Sequence, residues 1–179
     1  MAQLVEGYMQ IDGIPGESLD DKHKDWIEVL ELGHEMIQPV SSTKSSVGGA
    51  ATGRTQHGDF VFTKLVDKAS PKLNEAVSNG KHLSKATLQM TRAGGSQVVF
   101  YEIKLEQVMI SKVQLQHHNN GSSNGTSTSN SSAEPGFPTE TVHLNYGKIT
   151  WTYTQQKRTD GTGGGNVTAN ADLTAGKTS

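Results

Sequence analysis

Hydrophobic residues recur at every second position along most of this chain, the period of a strand with one buried face. In Gly58–Val66, "GDFVFTKLV", Phe60 and Phe62 share one face while Asp59, Val61 and Thr63 share the other. Leu4–Ile11, "LVEGYMQI", is a short apolar-rich run that stops at the turn "DGIPGES" and reads as a strand. Trp26–Leu32, "WIEVLEL", mixes apolar and polar residues on both faces, which also suits a helical turn; the β-branched Ile27 and Val29 favour a strand. Ala86–Arg92 is a further strand, and Gly94-Gly95 is a two-residue hairpin signal leading into a long return strand, Gln97–Leu115. There Val99, Tyr101, Ile103 and Leu105 alternate with polar neighbours. At Glu106-Gln107 the phase slips, and Val108, Ile110, Val113 and Leu115 continue in a new register. Such a slip predicts a bulge or bend. Glu140–Tyr153 is a strand pair or one bent strand: Val142, Leu144 and Tyr146 alternate, Gly147 interrupts, and Ile149, Trp151 and Tyr153 resume.

One stretch, "DKASPKLNEAVSNGKHL", changes period. Ser70 is the expected N-cap and Pro71 the first helical residue, where a missing N–H costs nothing. Leu73, Ala76 and Val77 form an apolar stripe, and Asn79-Gly80 is a left-handed stop. A helix of about nine residues cannot stand alone in water, so its stripe must pack on a sheet. Several short strands with turn signals predict a sandwich or small barrel, with this helix capping one side.

Three segments show no period: Gln38–Gln56, "QPVSSTKSSVGGAATGRTQ", the Asn/Gly/Ser-rich run Gln116–Pro138, and the Gly/Thr/Asn-rich tail from Lys157. The second cannot pack, and the third is weakly structured by composition. A loop as long as the first is usually functional or disordered; composition alone favours a passive surface loop.

Composition narrows the function. The 179 residues fit one domain. The hydrophobic share of 32% is depressed by the Asn/Ser run, so a normal core remains. Sixteen Lys and Arg against 18 Asp and Glu leave no basic excess for nucleic acid. The run "DDKHKD" alternates sign and reads as a solvated turn. With no cysteine there is no disulfide, thiol nucleophile or Cys-based zinc site. The N-terminus lacks the pattern of a secretory signal peptide, so the Asn-x-Ser/Thr triplets at Asn120, Asn124, Asn130 and Asn166 reflect composition.

Catalytic signals are missing. "GGAATG" and "GTGGG" match neither a P-loop nor a dinucleotide fingerprint, and no nucleophile elbow occurs. The seven histidines lack metal-ligand spacing; His117-His118 would point to opposite faces of a strand, and His57 beside a turn is more often structural than catalytic. No enzyme activity, cofactor or metal is expected. Ala86–Arg92 and Gln97–Leu105 carry one Lys and no Pro, little protection for open strand edges, so pairing with other copies is expected there.

Four segments carry a resemblance: "GESLDDKHKDWIEVL" (Gly16–Leu30), "HGDFVFTKLVDKASPKLNEAVSNGKHL" (His57–Leu83), "AGGSQVVFYEIKLEQVMISKV" (Ala93–Val113) and "TETVHLNYGKITWTYTQQK" (Thr139–Lys157). In this order they resemble the haemolysin-coregulated protein family, Hcp, the tube protein of bacterial type VI secretion systems. The resemblance implies an all-β, two-sheet barrel-like domain flanked by one short α-helix. It implies no catalytic residue. It assigns residues 1–157 to a single domain, with an extended loop at 33–56, the helix at 70–79 and a flexible loop at 117–138; residues 158–179 are a tail in which the pattern allows a last strand. It further implies hexameric rings of the chain that stack into a tube, with sheath, spike and effector proteins as partners and effectors carried in the lumen. Nucleic acid and membrane insertion have no part. The protein would be made in the cytoplasm and exported without a signal peptide.

On the same resemblance the loop becomes a ring-stacking arm, with Val40, Ser42, Lys44, Val47 and Arg54 as contacts, while Leu73, Ala76 and Val77 pack the helix. The chain departs from the family pattern in its long Asn/Ser loop and in "NADL", where Ala171 replaces an expected Trp. The alternative is a monomeric β-sandwich binding module for carbohydrate or peptide.

Overall fold

The computed structural model describes residues 5–40, 53–92, 98–117, 137–156, 163–175 and 177–178. In chain order the elements are β1 (Val5–Ile11), β2 (Ile27–Val29), β3 (Glu31–Gly33), β4 (Met36–Ile37), β5 (Gln56–His57), β6 (Phe60–Leu65), α1 (Ser70–Ser78), β7 (His82–Arg92), β8 (Val98–Gln116), β9 (Thr139–Asn145), β10 (Lys148–Gln156), β11 (Gly163–Asp172) and β12 (Lys177–Thr178). The fold is mainly β. The main sheet runs β12-β11-β10-β8-β7-β1-β2, and a branch runs from β8 through β9 and β6 to β3.

The 19-residue strand β8 joins the two halves. Its first half pairs with β10, from Tyr101↔Tyr153 to Glu106↔Lys148, and its second half pairs with β9, from Met109↔Asn145 onward. The change of partner falls at Gln107, which sits at φ 55°. Ile103 and Leu105 are buried before it, Val108 and Ile110 after it, so the phase slip in the sequence is this one left-handed residue. Val113 still packs on the core, but Leu115 is exposed.

The run Trp26–Leu32 is two strands rather than one. β2 pairs with β1 and β3 pairs with β6; between them the Leu30 N–H bonds the Thr63 carbonyl at 2.8 Å. Because β2 and β3 are successive pieces of one bent run, the ladder wraps like a barrel without closing. Phe60, Phe62, Met9, Ile27, Leu88, Leu105, Leu144 and Ile149 fill the interior.

The helix begins one position earlier than its capping signal suggests. Ala69 is the N-cap residue and Ser70 the first helical one. The Asp67 carboxylate accepts from the Ala69 N–H at 2.8 Å, and Ser70 Oγ accepts from the Asp67 N–H at 3.1 Å, so side chains just before and at the first helical residue bond the backbone N–H groups of the entry. Gly80 at φ 58° ends the helix: its N–H bonds the Val77 carbonyl, and the Lys81 N–H bonds the Ala76 carbonyl at 2.9 Å, a Schellman arrangement. Leu73 and Ala76 are buried and Val77 is half-buried against the core.

Beneath the helix lies a buried ion cluster. Lys64 continues the inward row of Phe60 and Phe62 and is fully buried. Its ammonium spends its three protons on Asp67 Oδ1 at 2.8 Å, Glu140 Oε2 at 3.1 Å and Ser70 Oγ at 3.1 Å. The Ser70 hydroxyl donates to Glu140 Oε2 at 2.6 Å.

The "DDKHKD" turn is not wholly solvated. His23 is buried, stacked on Tyr8 with ring centroids 4.2 Å apart. Its Nδ1 lies 2.6 Å from Asp20 Oδ2 and its Nε2 2.9 Å from Gln89 Oε1, and Gln89 Nε2 donates to Glu102. The tail also departs from its composition. β11 pairs with β10 from Lys148↔Asp172 to Gln156↔Gly163, and Ala171 is buried opposite Ile149.

Candidate assembly interface

The segment read as a structureless loop begins and ends as a ribbon. β4 pairs with β5 through Met36↔His57 and Ile37↔Gln56, forming a two-stranded sheet of its own. The Gly58 N–H bonds the Glu35 carbonyl at 2.9 Å. Further out, Gln38 Nε2 donates to the Gly53 carbonyl at 2.7 Å, and Thr55 Oγ1 donates to Gln38 Oε1 at 2.5 Å. Among the described residues, 34–40 and 53–57 therefore leave the body as a paired ribbon. Val40 and Arg54 are exposed; Ser42, Lys44 and Val47 lie outside the described residues. Met36 and Ile37 are each 48% exposed, an apolar pair on the outside of the ribbon.

The root of the arm is tied to the body at one hydroxyl. Tyr146, buried in the turn between β9 and β10, places its Oη 2.6 Å from His34 Nε2 and 3.1 Å from His57 Nδ1. His34 also lies against Phe60 and Trp151. Burial, and then the charge of Asp59, push the Tyr146 phenol up to about 12, so it stays a hydroxyl. Burial, and then neighbouring His57, hold the His34 imidazole below its ordinary value. Beside this tie is an open depression of about 470 Å³, bordered by Glu35, Asp59 and His143. Among the described residues no group of three or more His, Cys, Asp or Glu could hold a metal. Sequence reading set His57 aside as a lone residue; its partner, Tyr146, lies 89 positions away, and no local pattern signals that pairing.

The open edges are not the expected ones. β7 lies between β1 and β8, and β8 between β7 and its two further partners, so Ala86–Arg92 and the described part of the second run, Val98–Leu105, are central. Their few charges reflect a position inside the sheet. Among the described residues the outer edges belong to β2 and β3 on one side and β11 on the other, where β12 covers only Ala171 and Asp172. Residues 163–170, "GGGNVTAN", carry no charge and no Pro. All of β3 is exposed. Such edges present unpaired N–H and C=O groups to any strand that can reach them.

Residues 8–153 match the family model described as type VI secretion system effector, Hcp. The chain belongs to the Hcp family. Among Hcp relatives, Hcp1 of Pseudomonas aeruginosa is 34% identical over 164 residues, covering 91% of both chains. The major exported protein of the same organism is 33% identical over 144 residues, covering 77% of this chain and 74% of its own. A solved type six secretion system protein superposes with a TM-score of 0.84 at 28% identity, over 98% of this chain and 100% of its own. Hcp1 of Salmonella typhimurium gives 0.71 at 27%, over 97% and 98%. Hcp is a family of structural secretion proteins rather than of enzymes.

Proposed function

We propose that this chain is the tube subunit of a type VI secretion machine. Six copies close a ring, and rings stack into a hollow tube that is expelled with its spike and effectors. The observation that carries the reading is the near-full-length similarity to Hcp1 of Pseudomonas aeruginosa. The open edges support it: a β11 edge without charges and an exposed β3 are two surfaces that a neighbouring copy can cover, and repetition around a rotation axis covers both on every copy. The arm at 33–56 serves the contact between rings, effectors ride in the lumen, and the outer surface meets sheath and spike. The chain is made in the cytoplasm and leaves without a signal peptide; the name of its relative, the major exported protein, supports the export itself. The role is structural, with no catalytic step.

Size exclusion with light scattering tests this. A mass six times that of one chain is expected. A single-chain mass at high micromolar protein and near-physiological salt would overturn the ring and favour the monomeric carbohydrate- or peptide-binding module.

A further inference from the structure

We propose that Tyr146, His34 and His57 form an acid-opened latch that holds the root of the arm to the body. The latch is a property of the single chain and goes beyond the tube reading. His34 lies between β3 and β4 and His57 lies in β5, so both legs of the ribbon are tied to the one buried hydroxyl. A phenol has one proton to give and lone pairs to accept. It therefore donates to one ring and accepts from the other, an arrangement that suits two neutral imidazoles. If both rings gain a proton, both facing nitrogens become donors. The phenol proton then loses its acceptor, and two cations stand with ring centroids 6.4 Å apart.

The sign follows from His34. Its proton affinity in the closed state lies below that of a free imidazole, through burial first and His57 second. Closure thus favours the neutral ring. The latch is fully held above the free-imidazole value of about 6.5 and weakens as pH falls below it. The surrounding groups do not reverse this. Asp59 could favour a cation, but its carboxylate accepts from Ser111 Oγ at 2.5 Å and Asn145 Nδ2 at 2.9 Å. Glu35 is exposed, where solvent screens it. His143, on β9, borders the same depression and brings no carboxylate to it. Phe60 and Trp151 carry none. Once the tie is lost, the ribbon keeps two ladder pairs, the Gly58–Glu35 bond and the exposed Gln38 bonds to Gly53 and Thr55, and an isolated two-stranded ribbon of this size is marginal in water.

Amide hydrogen exchange of the full chain between pH 7.5 and 5.0, expressed as protection factors, tests the latch. In the wild type, protection at Met36, Ile37, His57 and Gly58 should fall at least about fivefold relative to Leu88 and Leu105, in step with ring titration followed by histidine NMR. The double variant H34Q/H57Q should lose the acid response, and H143Q should keep it. Tyr146→Phe should leave the ribbon weakly protected already at pH 7.5. A flat wild-type profile, a fall at a pH where neither ring titrates, or a response surviving in H34Q/H57Q would overturn the proposal. The wild-type profile and ring titration decide the matter even if a variant fails to fold. The readout is local, so its failure is separate from a failure to form rings or tubes.

Discussion

Gly147 stands against Gln107 at the point where β8 changes partners. A Cβ on Gly147 would overlap the Gln107 side-chain oxygen and lie 3.1 Å from both the Gln107 Cβ and a Thr174 methyl. The Gly147 N–H bonds the Glu106 carbonyl at 3.0 Å, and its own carbonyl accepts from the Leu173 N–H at 2.9 Å. One glycine thus anchors the β9–β10 turn, the β8 bend and the end of β11.

Gly147→Ala should therefore destabilise the fold by about 1–3 kcal/mol, as overpacking does. Gln107→Gly should stay within about 1 kcal/mol of wild type, since glycine removes the left-handed penalty but adds unfolded-state entropy. Gln107→Val places a β-branched residue at φ 55° and should cost more than Gly147→Ala. Urea unfolding of the three variants checks the order; a neutral Q107V would mean that the bend does not need its left-handed residue.

The helix is held by its stripe. Leu73→Ala should cost about 2–5 kcal/mol, the usual range for a fully buried leucine. Leu73→Asp should cost more, because the carboxylate is buried without a partner or must take up a proton. Thermal melts decide; an L73D chain with unchanged melting temperature would contradict the packing.

Lys64→Met leaves the Glu140 carboxylate buried with its cation gone, and should cost about 3–5 kcal/mol. The double variant K64M/E140L removes both charges and should recover much of that loss. A double-mutant cycle by chemical denaturation measures the coupling. Additive losses would show that the two charges do not depend on each other.

Replacing residues 40–55 with a short Gly/Ser linker should separate two levels of assembly. The ring contacts proposed for the edges lie on the body, and the ribbon root at 34–37 and 56–58 is retained. Rings should form, while tubes and export fail. Electron microscopy beside a secretion assay reads both. Normal tubes would refute a stacking role for the arm, and lost rings would assign it to the ring contact.

What the sequence shows is what period and turn chemistry determine. The Phe60/Phe62 row, the Asn79-Gly80 stop and the slip at Gln107 are local patterns with one physical reading each. The Gly94-Gly95 hairpin signal lies at residues outside the described ones. What stayed hidden depends on partners remote in the chain. His57 finds Tyr146, and His23 finds Gln89, only after strands have assembled. Edge position was misjudged because low charge marks an open edge and a central strand alike; only the pairing order separates them. The tail looked unstructured because glycine and asparagine are depleted in strands and mask its few threonines and Val167, yet β10 supplies a ladder for it. The buried pair was partly visible: one further step of the inward period from Phe62 reaches Lys64, and one step back from Val142 reaches Glu140, with opposite charges.

That cross-strand match also acts as a registration key. β6 and β9 pair with no hairpin turn to align them, since α1, β7 and β8 come between them in the chain. A slip of one residue would turn both charges outward and both phenylalanines with them. A slip of two would keep the phenylalanines inside but set Lys64 opposite Val142 or Pro138 instead of its counter-ion. Apolar pairing alone would tolerate the second error, whereas the ammonium does not. The K64M/E140L chain should then be stable but less singular, with doubled amide signals along β6 and β9. In the repeating tube subunit proposed above, that selectivity matters more than the pair's contribution to stability.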